Sequence, residues 1–296
     1  MEFESEDDAT HYSLGVTARR FTPEEADNRI SDYNKYAQNA RSEEDKIFWQ
    51  DELSNLTEYI ESDEFKNGCY PRGIDELILE LIEWRAALYA FQNVDTEKNP
   101  FTEHVFHAQW LMGGTYTVFC LIGKLVSSDN RDNSLRKLWD TVKEYVANSG
   151  LCEKDEADLV TEIMHKRQGH FTNDNSKAIL FRNKYIAHNE SLPQLEWIEV
   201  DKDIKLLCRV WSLITMWSSF GIMQPFRSGE IAFSGLDNVF NPAEIKLLND
   251  QRESYIKLVK KWSISSLIDE ESTSKCSPFG ELSISFSVNV NKANKN

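Results

Sequence analysis

Apolar residues recur at three- and four-residue spacings along most of this chain, and that rhythm confines it to a helical fold. In Ile74 to Asn93 the apolar set includes Leu77, Leu79, Leu81, Ile82, Trp84 and Leu88; in Leu135 to Ala147 it is Leu138, Trp139, Val142, Tyr145 and Val146. Side chains so spaced share one face of a helix and must be buried against another element. Pro23 to Ser62 continues the pattern with Ile30, Tyr33, Tyr36, Phe48, Leu53, Leu56 and Ile60, and reads as one long or two shorter helices. Its start, Thr22-Pro23-Glu24-Glu25, supplies an N-cap, a proline for the first turn and acids for the positive helix end. Further helices are expected over Phe101 to Ser128, Asp155 to Met164, Ser176 to His188, Leu206 to Phe220 and Ala243 to Trp262, the last opened by Asn241-Pro242-Ala243-Glu244.

Short links between most of these segments favour an all-α, antiparallel helical bundle. The bundle is expected over 74–262, preceded by a helical extension over 21–70, from which Gly68 and Pro71-Arg72-Gly73 divide it, and by an acidic flexible N-terminus over 1–20. In the remaining tail, 263–296, the rhythm changes. Leu282, Ile284, Phe286, Val288 and Val290 alternate with Ser283, Ser285, Ser287 and Asn289, the period of a short C-terminal β-strand over 282–290. A lone strand needs a partner, either Glu230 to Ser234 or the strand of a second subunit.

A chain of 296 residues with 41% hydrophobic content can bury a large core, which excludes a disordered chain. Its 49 acidic against 33 basic residues leave a net charge of -16, opposing indiscriminate attraction to phosphate backbones or anionic lipid. Nucleic-acid contact would have to use a local basic island. The five cysteines, Cys69, Cys120, Cys152, Cys208 and Cys276, are scattered without a CxxC pair, and the acidic N-terminus lacks the basic and apolar regions of a signal peptide. Both features point to reduced thiols and a cytoplasmic protein. Two apolar stretches invite a membrane reading, but Val105 to Val126 contains His107, Gln109 and Lys124, and Leu206 to Phe226 carries Arg209 and Gln224-Pro225. Buried bundle helices account for both better than membrane spans do, so no membrane partner is expected.

The basic island lies between His165 and His188, where Lys166, Arg167, Lys177, Arg182 and Lys184 face one acid, Asp174. Within it Arg182 is followed by Asn183 and, six positions after the arginine, by His188. Arginine offers a planar fork for phosphate oxygens, and histidine exchanges protons near neutral pH. RNA cleavage by 2′-hydroxyl attack needs a base, an acid and a cation for the developing phosphorane charge, and no metal. The bland alternative is a surface ion pair and a histidine resting on a helix C-terminus. Helix geometry also poses a difficulty: six residues advance about 600°, leaving Arg182 and His188 roughly 120° apart around one axis. The reach of arginine near a helix end, or a two-fold dimer with both motifs on one cleft, would resolve it.

The run Phe181-Arg182-Asn183-Lys184-Tyr185-Ile186-Ala187-His188-Asn189 resembles the motif of the HEPN superfamily: arginine, a polar residue, a short spacer and histidine on a late helix of an α-helical bundle. Tyr116-Thr117-Val118-Phe119 and Gly123-Lys124-Leu125 on an upstream helix are similar to the abortive-infection toxin branch. The resemblance implies a homodimeric, metal-independent endoribonuclease of bacterial toxin or anti-phage defence systems. In that reading Arg182 and His188 are catalytic, Asn183 supports them, and Lys184, Lys177, Lys166 and Arg167 bind RNA. An antitoxin or defence-system partner protein is compatible with it, although Glu190 stands where HEPN toxins paired with a nucleotidyltransferase antidote usually carry tyrosine. The alternative is a non-catalytic helical module that binds RNA or a partner protein through the same face.

Other motifs carry less. His104 and His107 stand three apart on one expected helical face without a third ligand at a recognisable spacing, so no metal is expected. His165 and His170 flank Lys166-Arg167 and could line an RNA groove or a solvated loop. Nucleotide-loop, GxSxG, HExxH and kinase patterns are all missing, and no cofactor is expected.

Overall fold

The computed structural model describes residues 3–18, 23–66, 73–93, 105–129, 131–188, 195–219, 221, 226, 232–236, 240–269, 271–273 and 277–279. These residues form an all-α protein: α1 (Glu6–Thr17), α2 (Pro23–Gln38), α3 (Glu43–Glu61), α4 (Asp63–Lys66), α5 (Ile74–Asn93), α6 (Val105–Leu125), α7 (Leu135–Asn148), α8 (Lys154–Met164), α9 (Lys177–Phe181), a π-helical turn (Arg182–Ile186), α10 (Trp197–Ser218) and α11 (Pro242–Ile264). The expected strand over 282–290 lies outside the described residues. Among those that are described, β pairing amounts to an isolated antiparallel bridge between Ser265 and Thr273.

The main core runs through α5 to α11. Ile78, Leu81 and Ile82 of α5, Phe119 and Ile122 of α6, Trp139 of α7, Val160 of α8 and Trp211 of α10 are all fully buried in it. α5 lies against both α6 and α11, and α10 touches α7, α9 and α11, so α5 and α10 form the centre of the bundle. α2 and α3 pack on each other around a small separate core of Ala26, Tyr33 and Leu56. Of the two readings of Pro23 to Ser62, one long helix or two shorter ones, the chain takes the second.

Two expectations are corrected. The acidic N-terminus is not a flexible tail: Glu6 to Thr17 is helical, with Ser5 as N-cap and Ala9, Ser13 and Thr17 buried. Glu6, Asp7 and Asp8 complement the positive end of that helix, so acidity that suggests solvation is here a helix start. α1 then docks on α7 and α10, and Trp217 Nε1 donates to Glu6 at 2.9 Å. The other correction is α10, which begins at Trp197 rather than Leu206, opened by a capping box between Glu196 and Glu199.

No helix of the described residues is long and apolar enough to cross a membrane. Arg209, a charge that argues against a span, is buried in the core and paired with Glu156. Cys120, Cys152 and Cys208 are free thiols, and burial pushes Cys152 up to about 11 and Cys208 higher still. Cys152 and Cys208 are thus poor nucleophiles, in keeping with a structural role.

Candidate functional site

The loop between α8 and α9 sets the site, and hydrogen bonds fix it at both ends. His165 Nδ1 accepts from the backbone N–H groups of Arg167 (3.3 Å) and Gln168 (3.1 Å), a tight turn that leaves Lys166 and Arg167 exposed. Gly169 follows because nothing larger fits: a Cβ there would lie 2.4 Å from the Ile163 carbonyl and 2.5 Å from that of His165. His170 Nε2 then meets Asp203 Oδ1 at 2.5 Å, and Ser176 Oγ donates to Asp203 Oδ2 at 2.6 Å. Asp203 is buried in α10 and holds the middle and the far end of the loop through one carboxylate. Ser176 also caps α9 by accepting from the Ile179 N–H.

α9 is only five residues long, and its buried Ala178, Ile179 and Phe181 seat it on the core. The Phe181 ring lies 4.7 Å from that of Phe119 on α6, and Tyr185 lies 6.1 Å from Tyr116 on the same helix. Between these two anchors the backbone departs from α-helix. The Ala187 N–H donates to the Arg182 carbonyl at 3.1 Å, an i→i+5 bond that closes a π turn. Such single turns occur frequently at functional positions. The α-helical angle expected between Arg182 and His188 therefore does not apply, because a wider turn rotates less per residue.

Arg182 is exposed and crosses α6 at Gly123, where an added Cβ would stand 3.1 Å from its Nε. Its Nη1 donates to Asn183 Oδ1 at 2.8 Å, and Asn183 Nδ2 donates to Asn173 Oδ1 at 2.7 Å. The arginine is thus steered by its neighbour, and that neighbour is tied to the loop. Beside them opens a pocket of about 520 Å³, lined by Gly123, Val126, Ser127, Ser128, Asp129, Asp132, Arg136, Lys166, Phe171, Ile179, Arg182 and Asn183.

Of the residues expected from sequence, the pocket gathers Arg182, Asn183 and Lys166. His188 is exposed beyond the π turn and is not among the lining residues. Lys177 and Arg167 are exposed outside it, and Lys184 is half-buried. His104 lies outside the described residues, as does the side chain of His107. Among the described residues no three His, Cys, Asp or Glu side chains are grouped to hold a metal.

Arg136, Asp129 and Asp132 belong to the pocket without having been expected there. Arg136 sits beside the apolar stripe of α7, a flank that reads as surface. Asp129 accepts from the Arg131 guanidinium and backbone N–H, which hold its carboxyl down at about 2. Asp132 accepts from Ser127 Oγ at 2.6 Å. The pocket therefore combines three cations with two carboxylates, one of them already engaged by Arg131. Comparison of the chain with protein-family models, with curated proteins and with solved structures found no match.

Proposed function

We propose that this chain is a metal-independent endoribonuclease of the HEPN kind, acting as a homodimer in bacterial toxin or anti-phage defence. The observation that carries this reading is the seating of Arg182: on a π turn, steered by Asn183, at a pocket that also contains Lys166 and Arg136. In the proposed reaction the guanidinium of Arg182 neutralises the phosphoryl oxygens as a ribose 2′-hydroxyl attacks the adjacent phosphorus. The 2′-proton passes to a base, the 5′-oxygen leaves with a proton from an acid, and the strand ends in a 2′,3′-cyclic phosphate. His188 supplies one of these proton transfers, and His188 of a second copy supplies the other. Its exposure fits a role completed at a dimer cleft.

The test is incubation of the purified protein with RNA in the presence of EDTA. Wild type should cleave and leave cyclic phosphate ends, while Arg182→Ala and His188→Ala should each lower the rate at least about 10²-fold with helicity unchanged. Retained cleavage in both variants would sink the proposal.

One observation favours a second reading, a helical module that binds RNA or a partner protein without turnover: the pocket collects cations while His188 stands outside its lining. RNA binding by wild type with no cleavage, unchanged by His188→Ala, would select it.

A further inference from the structure

Four arginines are buried among the described residues, and three have the partners that a buried charge requires. Arg85 (2% exposed) is gripped through Nε and Nη2 by the two carboxylate oxygens of Asp201, both at 2.8 Å. Arg209 (2%) meets Glu156 in the same way at 2.9 Å. Arg252 (1%) binds Glu83 and Glu253, each at 2.7 Å.

Arg136 is the exception. It is 5% exposed, its Nη2 donates to the Phe171 carbonyl at 3.2 Å, and its Nε has no hydrogen-bond partner. Among the described residues no carboxylate comes within 4.0 Å of it. A guanidinium that is largely buried without a counter-charge in contact is costly, and proteins pair such groups or place them where an anion will come. Arg136 lines the pocket that Arg182 and Lys166 also line, and it stands in the first turn of α7, whose backbone N–H groups add partial positive charge. The pocket thus carries three cations, one of them at a helix start, beside the carboxylates of Asp129 and Asp132.

We infer that Arg136 is the floor of an oxyanion site shared with Arg182 and Lys166, and that its ligand is a backbone phosphate of a single RNA strand. The strand as ligand rests on the nuclease reading; the oxyanion site does not. Arg182 reaches the phosphate from the π turn, across α6 at Gly123, the exposed Lys166 adds a second cation, and the buried Arg136 donates from α7. Asp132, also in the lining, accepts from a ribose hydroxyl or base amino group, which inorganic phosphate lacks. Arg136 is a binding residue here; its contact with Phe171 also braces the α8–α9 loop.

The experiment is calorimetric titration of the full-length protein with three probes: inorganic phosphate, a nucleoside 5′-monophosphate, and a short single-stranded 2′-O-methyl RNA that cannot be cleaved. The RNA should bind most tightly, and Arg136→Met should weaken it about tenfold or more. Circular dichroism would check that this variant folds. Arg182→Gln and Lys166→Gln alter exposed side chains and should each weaken the same probe several-fold even if Arg136→Met does not fold. RNA affinity unchanged across the folded variants would overturn the site and make Arg136 a loop brace. Tightest binding by the monophosphate would overturn the strand as ligand. The two proposals fail separately: absent cleavage with Arg136-dependent RNA binding removes the nuclease and leaves the site, whereas cleavage with Arg136-independent binding does the reverse.

Discussion

Two regions of this bundle treat positive charge in opposite ways. Where α5, α10 and α11 meet, Arg85 is clamped by Asp201, which also accepts from Tyr255 Oη at 2.7 Å, and its guanidinium lies 4.3 Å from the ring centre of Trp197. Arg252 and Arg209 are closed off in the same manner. Where α6, α7 and the π turn meet, Arg136 has a single carbonyl, Arg182 has a neighbouring amide and Lys166 faces solvent. Closed pairs fix which helices touch, while an open set of cations gains nothing from the fold and is worth keeping for what it can bind. The contrast also shows why net charge misleads. A chain at -16 overall still gathers positive groups at one mouth, while Asp201, Glu156 and Glu83 are paired with arginines elsewhere.

The contrast can be broken most directly at Glu156. Glu156→Gln strands Arg209 in the core, and urea unfolding should show a loss of about 3–5 kcal/mol. A loss below about 1 kcal/mol would mean that the pair is not a desolvated one.

Next in size is Asp75, a carboxylate on the closed side that accepts from Trp211 Nε1 at 2.7 Å rather than from an arginine. Burial raises it from 3.8 to about 6, with Trp211 pulling it back and Glu76 adding to the rise. The folded state thus holds a proton that the unfolded chain has released. Stability from this group is present below pH 3.8 and is lost as pH rises towards and through about 6. Asp75→Asn removes that dependence and should be more stable than wild type at pH 7 by about 1–3 kcal/mol, a gap that shrinks towards pH 4. An equal gap at pH 4.5 and pH 7 in paired unfolding curves would disprove it.

The smallest effect sharpens the comparison from the open side. Arg136→Met removes a charge with no carboxylate to lose, so the melting curve should stay level or move up by about 1 kcal/mol in stability. A loss comparable to that of Glu156→Gln would place Arg136 with the structural arginines.

Much of this fold is legible in the sequence wherever one face is plainly apolar. The reading of α5 as Ile74 to Asn93 coincides with the helix found, because its stripe is continuous and Gly73 precedes it. The reading of α10 loses its first nine residues, Trp197 to Lys205, since Asp201 and Asp203 point inward to Arg85 and to His170 and Ser176. A buried acid with a distant partner looks like a solvent position until the partner is known. The same holds for the site. Arg182 and Asn183 belong to a contiguous motif and are legible, whereas Arg136 becomes part of the pocket only when α7 is laid beside α9. Asp203, which positions the loop, leaves one trace: it falls on the same face as Val200, Ile204 and Leu207 once the helix is started early enough.

The π turn bears on how the spacing in this motif should be understood. Each residue of an α-helix carries the next about 100° around the axis, so a turn holding one residue more is an insertion absorbed by the bundle. Phe181 and Tyr185 are both seated on α6, which keeps the surplus between them. A residue lost from that stretch would return it to α-helical bonding and swing His188 around the axis while leaving Arg182 in place. The separation between arginine and histidine is therefore a setting of angle more than of distance, and changes of length there act as changes of phase.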